Sequence, residues 1–215
     1  MPRIRTAALT ALLSGLLAAP AFALGAGGSL LALQLISGEG DFVSPEGAYL
    51  SAYTHGELGA GGEYWYQVTD GFAIAVAGRY ARSRELQSAT NRADRLYRQT
   101  SWSARVGGDR VVEIGDRSVI YFGPGIEYWR GHSQFLGIFG TVPPLLDVTT
   151  PEVTRWSVSG RIGAIFVLGP SWGLAGHLGH RAGRASASQD GAKTTWYTNG
   201  FEGSGGLVFA FGGGD

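Results

Sequence analysis

Apolar and polar side chains alternate with a period of two along most of this chain, which is the pattern of β-strands with two unlike faces. Residues 118–130 show it clearly, because Ile120 and Phe122 fall on one face while Gly125 and Glu127 fall on the other. The apolar face is the larger and more aromatic one in most such segments. The alternation predicts a sheet with one continuous apolar surface and one surface of charged residues and glycines.

Eight segments of this kind follow one another, and two sorts of connection alternate between them. The predicted strands lie at residues 29–38, 57–68, 72–82, 95–113, 118–130, 152–168, 172–183 and 195–211. Tight turns are predicted at 69–71, 115–117 and 169–171, and long loops at 39–56, 83–94, 131–150 and 184–193. Residues 48–55 also alternate and are interpreted as an upward extension of the second strand or a small flap. This arrangement predicts an all-β fold, an eight-stranded antiparallel up-and-down transmembrane β-barrel.

The apolar faces are predicted to point outward into lipid. Arginines fall on this parity only near strand ends, where a long side chain reaches water, and a charge on the lipid face at mid-membrane would cost about 2–4 kcal/mol. Outward aromatic side chains form two groups by height, as at the two interfaces of a bilayer. The predicted lipid-interface aromatics are Tyr66, Phe72 and Trp172 toward the tight turns, and Tyr80, Trp102, Tyr128, Trp156 and Tyr197 toward the long loops.

The opposite faces are charged and are predicted to line the lumen. An eight-stranded barrel is just wide enough inside for side chains to fill it, and buried charges must be paired. The expectation is a structural Arg–Glu network that plugs the barrel, and the alternative is a narrow conducting path with a mild anion bias. The network residues are Glu63, Arg79, Arg105, Glu127, Arg155, Arg161, His177, Arg181 and Glu202, with Asp109 near the turn end.

Residues 1–23 are predicted to be a secretory signal peptide, because a basic start and an apolar core precede the motif Ala21-Phe22-Ala23. The alternative is an uncleaved anchor helix, for which the apolar run is short. Residues 24–215 then form one barrel domain. Removal of the two leading arginines leaves fifteen basic residues against 17 acidic ones, and the chain has no cysteine. Neither a nucleic-acid partner nor thiol chemistry is expected.

Residues that commonly carry catalysis or bind metals are poorly placed for either role. His177 and His180 are three residues apart, so on a strand they point to opposite sides and do not share a metal ion. His132 and Ser133 are adjacent, project apart, and have no evident acidic partner. No glycine-rich phosphate loop or dinucleotide fingerprint is present. The sequence therefore predicts no catalytic residue, no metal site and no cofactor.

The predicted loop at residues 131–150 is unusually apolar. Its apolar residues are Phe135, Leu136, Ile138, Phe139, Val142, Leu145 and Leu146, and they flank Pro143-Pro144. A solvated loop is normally polar. The loop is therefore expected either to fold back as a lid over the barrel mouth or to dock on lipid or a surface partner.

The chain resembles the small eight-stranded outer-membrane β-barrels, a group that includes the OmpA-type transmembrane domain and the OmpX and opacity-protein barrels. The matching stretches are residues 61–66 (GGEYWY), 125–128 (GIEY) and 207–211 (LVFAF). The resemblance implies a bacterial outer-membrane location among lipid and lipopolysaccharide. It also implies assembly by the barrel-assembly machinery, which is thought to read a terminal aromatic residue. Four residues follow Phe211 here, which departs from that pattern.

The expected function is non-enzymatic, with a structural, surface-interaction or minor-permeation role. One alternative is a barrel enzyme that acts on envelope lipid, which would need a Ser/His/acid cluster on an outer wall. The other is a secreted lipocalin-like carrier, which would need an apolar cavity where this chain has charged inner faces.

Overall fold

The computed structural model describes residues 26–43, 53–87, 95–115, 117–138, 152–189 and 191–211. The predicted signal peptide, the apolar loop beyond Ile138 and the four residues after Phe211 lie outside these ranges. Within them, no helix is long and apolar enough to cross a membrane.

The described residues form eight antiparallel strands in a closed barrel, in which each strand pairs with its sequence neighbours and β1 pairs with β8. The strands are β1 (Ser29–Val43), β2 (Tyr53–Thr69), β3 (Phe72–Gln87), β4 (Arg95–Ile114), β5 (Ser118–Ile138), β6 (Val153–Gly169), β7 (Trp172–Gln189) and β8 (Ala192–Phe211). The predicted eight-stranded up-and-down barrel is confirmed.

The strands are inclined to the barrel axis. A row of paired residues that starts at Ala32 passes through Glu63, Arg105 and Glu127 and returns to β1 at Val43, well above its starting point. Closing a sheet into a barrel requires this stagger. As a consequence, inward residues from strands that are not adjacent meet at one height inside the lumen.

The three predicted tight turns connect β2 to β3, β4 to β5 and β6 to β7. Gly71 and Gly115 have φ angles of 137° and 63°, a region that glycine adopts without strain. The predicted long loop at 184–193 is wrong, because β7 and β8 continue until Gln189 pairs with Ala192. The Asp-Gly dipeptide at 190–191 is a two-residue hairpin signal, and Gly191 has a φ of 81°.

Other strands also extend further toward the loop end than the alternation indicated. β1 continues to Val43, β3 to Gln87 and β5 to Ile138, and β2 begins at Tyr53. The predicted loops at 39–56, 83–94 and 131–150 are correspondingly shorter, and the described part of segment 48–55 belongs to β2. Beyond the lipid-facing part of the barrel, both faces of a strand can meet water. Backbone pairing therefore persists there, although the apolar–polar alternation has ended.

Exposure alternates along the strands as the two-faced pattern requires. In β6, Val158 and Ile162 are 63% and 58% exposed, whereas Arg155 and Arg161 are 3% and 5% exposed. Valine, isoleucine, leucine and aromatic side chains thus cover most of the outside, while Arg105, Arg155, Arg161 and Arg181 point inward. This polarity is the reverse of that in a water-soluble barrel.

The end of the lumen near the tight turns is filled by an apolar layer. Its buried members are Leu30, Ala32, Trp65, Ala73, Ala75, Val119, Tyr121, Ile165, Val208 and Ala210. The inner faces are therefore not charged throughout, contrary to the expectation. The available signal was the inward parity of apolar residues close to the tight turns, notably Val119 and Ile165.

Candidate functional site

The structure places all nine predicted network side chains, and Asp109, inside the lumen above the apolar layer. Arg79, His177 and Glu202 are half-buried. The buried members are Glu63, Arg105, Asp109, Glu127, Arg155, Arg161 and Arg181. These ten residues are called the lumen cluster below.

Arg161 on β6 is the centre of the lower part of the lumen cluster. Its Nη1 contacts Oε1 of Glu63 on β2, and its Nη2 contacts Oδ2 of Asp109 on β4. Its Nε also donates to Asp109 Oδ1 at 3.2 Å. One guanidinium thus pairs with two carboxylates from across the barrel, and it holds one of them by a bidentate contact.

Two aromatic side chains of the apolar layer close around this centre. The Arg161 Cζ lies 5.6 Å from the ring centroid of Trp65 and 5.2 Å from that of Tyr121. Trp65 also donates from Nε1 to Asp109 Oδ2 at 3.0 Å. The two rings meet edge to face with centroids 5.5 Å apart. The ion pairs are therefore anchored directly on the apolar layer.

Looser ion pairs lie above this centre. Arg105 donates from Nε to Ser159 Oγ at 3.2 Å, and its Nη1 lies 3.8 Å from Glu63 Oε1. Toward the long loops, Arg155 Nη2 lies 3.6 Å from Glu127 Oε1. On the neighbouring wall, Arg181 Nη1 lies 3.9 Å from Glu202 Oε2. The charges thus alternate up the lumen, with the shortest contacts at the bottom.

A small polar cavity lies among these groups. It has a volume of ≈ 30 Å³ and is lined by Glu63, Arg79, Arg105, Glu127 and Glu202, among others. Buried polar atoms without a hydrogen-bonding protein partner include Arg105 Nη2, Glu127 Oε2 and Glu202 Oε1. Such a space has room for a few water molecules, which satisfy donors and acceptors alike.

His177 and His180 lie on opposite sides of the wall, as their spacing predicts. His177 faces the lumen, where its Nδ1 lies 3.1 Å from Ser204 Oγ. His180 is exposed on the outside and meets the ring of Phe201 edge to face. His132 is exposed as well. Within the described ranges, no group of three histidine or acidic residues is arranged to bind a metal ion.

Glycines on the inner face make room for the large side chains of the lumen. A Cβ on Gly125 would lie 2.6 Å from the Arg105 guanidinium, and one on Gly163 would lie 2.3 Å from Tyr121 Cζ. A Cβ on Gly131 would lie 2.4 Å from Trp129 Cη2. The sequence showed the inward glycines but not this role, which depends on which neighbour each one faces.

The eight predicted interface aromatics all lie on the outward parity, and they form two belts. Toward the long loops, the rings of Trp102, Tyr128 and Trp156 pack side by side, with successive centroids 5.2 and 4.9 Å apart. Tyr66, Phe72 and Trp172 are exposed at the other end. Between the belts the exterior is mostly aliphatic, for example at Val76, Val106, Ile126, Val158 and Ile162.

The Glu127–Arg155 pair offers a direct test of the network. The change Glu127→Ala leaves Arg155 buried beside a cavity, and we expect a loss of about 2 kcal/mol in the free energy of unfolding. Equilibrium denaturation in detergent micelles measures it. The control is Glu152→Ala, which breaks the exposed Arg130–Glu152 pair at 2.6 Å and should have little effect. Equal stability of the two variants would contradict a structural role for Glu127.

The closed ring of eight up-and-down strands, with its apolar exterior and aromatic belts, places the fold in the class of small outer-membrane β-barrels. The outer membrane protein OprG from Pseudomonas aeruginosa has a similar structure at 11% identity, with 89% of this chain and 100% of that chain covered and a TM-score of 0.52. The Ail protein of Yersinia pestis gives 14% identity, 86% and 99% coverage and a TM-score of 0.47. Neisserial surface protein A gives 13% identity, coverage of 86% of this chain and 97% of that chain, and a TM-score of 0.47.

No protein-family model and no curated protein sequence matches the chain. The likeness to OprG therefore concerns the fold, and it confirms the predicted resemblance at that level. The apolar exterior and the fold agree with the predicted outer-membrane location.

Proposed function

We propose that the chain is an outer-membrane β-barrel with a closed lumen, and that it acts through its surface and as a structural element of the envelope. Export by the signal peptide at residues 1–23 and insertion by the barrel-assembly machinery belong to this proposal. The single observation that carries it is the filling of the lumen by two different layers in series, the lumen cluster above and the apolar layer below.

The two layers block different kinds of solute. At the tight-turn end, apolar side chains such as Trp65 and Tyr121 surround a cavity of only ≈ 10 Å³, which disfavours the passage of an ion. The paired charges above leave a cavity of ≈ 30 Å³, far below the roughly 300–1,000 Å³ of a typical small-molecule pocket. The arrangement favours a closed barrel over the alternative of minor permeation.

The proposed role is non-enzymatic, and the partners are those of the barrel surface. These are outer-membrane lipid and lipopolysaccharide around the aromatic belts, and a surface partner at residues 131–150. The part of that segment within the described ranges continues strand β5, so a partner would meet a projecting strand pair as well as the apolar sequence beyond it.

Bilayer recordings test the closed lumen. The chain without residues 1–23 is refolded in detergent and checked by the faster gel migration of the unheated barrel, then inserted in a planar lipid bilayer. Because both layers must open for ions to pass, we expect no stable conductance steps. A 16-stranded porin, which has an open aqueous channel, is recorded in parallel as the positive control. Reproducible steps from the folded form would contradict the closed lumen.

A lipid-hydrolysis assay on the same sample tests the non-enzymatic role. Vesicles of phospholipid and lipid A are incubated with the folded barrel, and released fatty acids are measured. No release above the heat-unfolded sample is expected. Release that requires the folded form would favour the barrel enzyme instead.

A further inference from the structure

The exterior of β6, β7 and β8 carries a cluster of hydrogen-bond donors at the long-loop end. Trp156, Arg184 and Tyr197 stand side by side in one row of paired residues, one on each strand. Thr154 pairs with Ser186 in the next row toward the loops. These five residues, all of outward parity, are called the β6–β8 donor cluster.

Arg184 is the charged member of the donor cluster and is held in place by an aromatic neighbour. Its Cζ lies 4.9 Å from the ring centroid of Tyr197, and its Nη2 donates to the Tyr197 hydroxyl at 2.9 Å. Trp156 and Tyr197, on either side of it, are 61% and 69% exposed. An exposed guanidinium that stacks on one ring and donates to its hydroxyl is oriented before a ligand arrives, which lowers the entropy cost of binding.

Hydroxyl groups extend the donor cluster toward the loops. The Oγ1 of Thr154 and the Oγ of Ser186 lie 3.1 Å apart, directly above Trp156 and Arg184. None of the five members carries a negative charge. A guanidinium beside two hydroxyls and a phenol is a donor set that suits the oxygens of a phosphate group.

Below Arg184 the outer wall is mostly apolar. Ala182 pairs with Val158 and Asn199, and the following outward row is Gly160, His180 and Phe201. A Cβ built on Gly160 meets nothing within 4 Å. Val158, Ile162 and Leu178 on this wall are 63%, 58% and 72% exposed, so the donor cluster stands directly above an apolar outer surface.

We propose that the donor cluster binds the phosphate of a phosphorylated glycolipid in the outer leaflet, with the acyl chains against the apolar wall below. The inference rests on the proposed outer-membrane location, since the long-loop end then faces the outer leaflet. Lipid A, the glycolipid of lipopolysaccharide, places its phosphates at the belt where Arg184 lies and its chains below. Charge complementarity and the apolar wall directly below the cluster together favour this occupant over a soluble anion.

The test measures binding of bis-phosphorylated lipid A to the folded chain in uncharged detergent micelles, by calorimetry. The variant is Arg184→Gln. The matched control is Arg82→Gln, which removes another exposed outward arginine above the same aromatic belt, where the row neighbours are Leu58 and Thr100. We expect Arg184→Gln to weaken binding about fivefold and Arg82→Gln to leave it within about twofold.

Two further ligands identify the source of the phosphate. Lipid A without its phosphates should bind the unmodified chain and both variants equally weakly. Phosphatidylglycerol should bind Arg184→Gln and Arg82→Gln with the same affinity. The proposed site would be overturned if both variants weakened lipid A binding equally. It would also be overturned if Arg184→Gln weakened phosphatidylglycerol binding as much as lipid A binding. Loss of heat-dependent gel migration in the unmodified chain would instead overturn the outer-membrane barrel itself, so the two failures are distinguishable.

Discussion

The change Arg161→Ala should destabilise the barrel more than removal of any other charge in the lumen cluster. Arg161 is the closest partner of both Glu63 and Asp109, and all three side chains are buried. Loss of the guanidinium leaves two carboxylates beside apolar rings, and the nearest other cation, Arg105, lies 3.8 Å from Glu63. We expect a loss of about 3–5 kcal/mol in the free energy of unfolding, measured by equilibrium denaturation in micelles.

Two companion variants separate the loss of charge pairing from the loss of packing. Arg161→Lys keeps the charge but loses the bidentate contact to Asp109, so intermediate stability is expected. The double change Arg161→Met and Asp109→Asn removes one cation and one anion at similar volume, leaves Glu63 paired with Arg105, and should recover most of the loss. If the double variant were as unstable as Arg161→Ala, packing and not uncompensated charge would be the cause.

The alternation along the chain was enough to predict the number of strands, their order and the direction of each lumen side chain. Outward and inward residues differ strongly here, because lipid contacts one side and a confined polar space the other. The three tight turns carried their own Gly, Asp and Pro signals. Beyond the apolar belt the contrast ends, which explains why the predicted ends of β5 and β7 fell short of Ile138 and Gln189.

The partners of the lumen charges could not be predicted in the same way. Glu63, Asp109 and Arg161 lie on β2, β4 and β6, and they meet only because the stagger of the barrel brings those positions to one height. Each pairing depends on the register of several hairpins together. Local alternation shows that a residue faces inward, but it does not show how high the residue lies relative to a strand across the lumen.

The same register explains the abundance of glycine on the inner faces. A lumen of this width holds Arg105, Tyr121 and Trp129 only if some of the positions beside them carry no side chain. The apolar layer is therefore a fitted packing of rings against backbone. Filling one of these positions should be costly, while filling a glycine on the lipid side should not.

The change Gly163→Val tests this packing. A Cβ there would lie 2.3 Å from Tyr121 Cζ and 2.6 Å from the Gly176 carbonyl oxygen, which also accepts a hydrogen bond from the Tyr121 hydroxyl at 3.3 Å. Neither a buried ring nor a backbone carbonyl can move aside easily. We expect a loss of about 3 kcal/mol in the free energy of unfolding, or failure to reach the heat-modifiable folded form.

Gly160→Val is the matched control, since it lies three residues away on the same strand and faces outward, where a Cβ meets nothing within 4 Å. Valine also favours strands, so this variant should be as stable as the unmodified chain or slightly more stable. Combining Gly163→Val with Tyr121→Ala should cost less than the sum of the two single changes, because the added side chain no longer meets the ring. If Gly160→Val and Gly163→Val were equally destabilised, the cost would come from adding a side chain to any strand glycine, and the fitted lumen would not explain it.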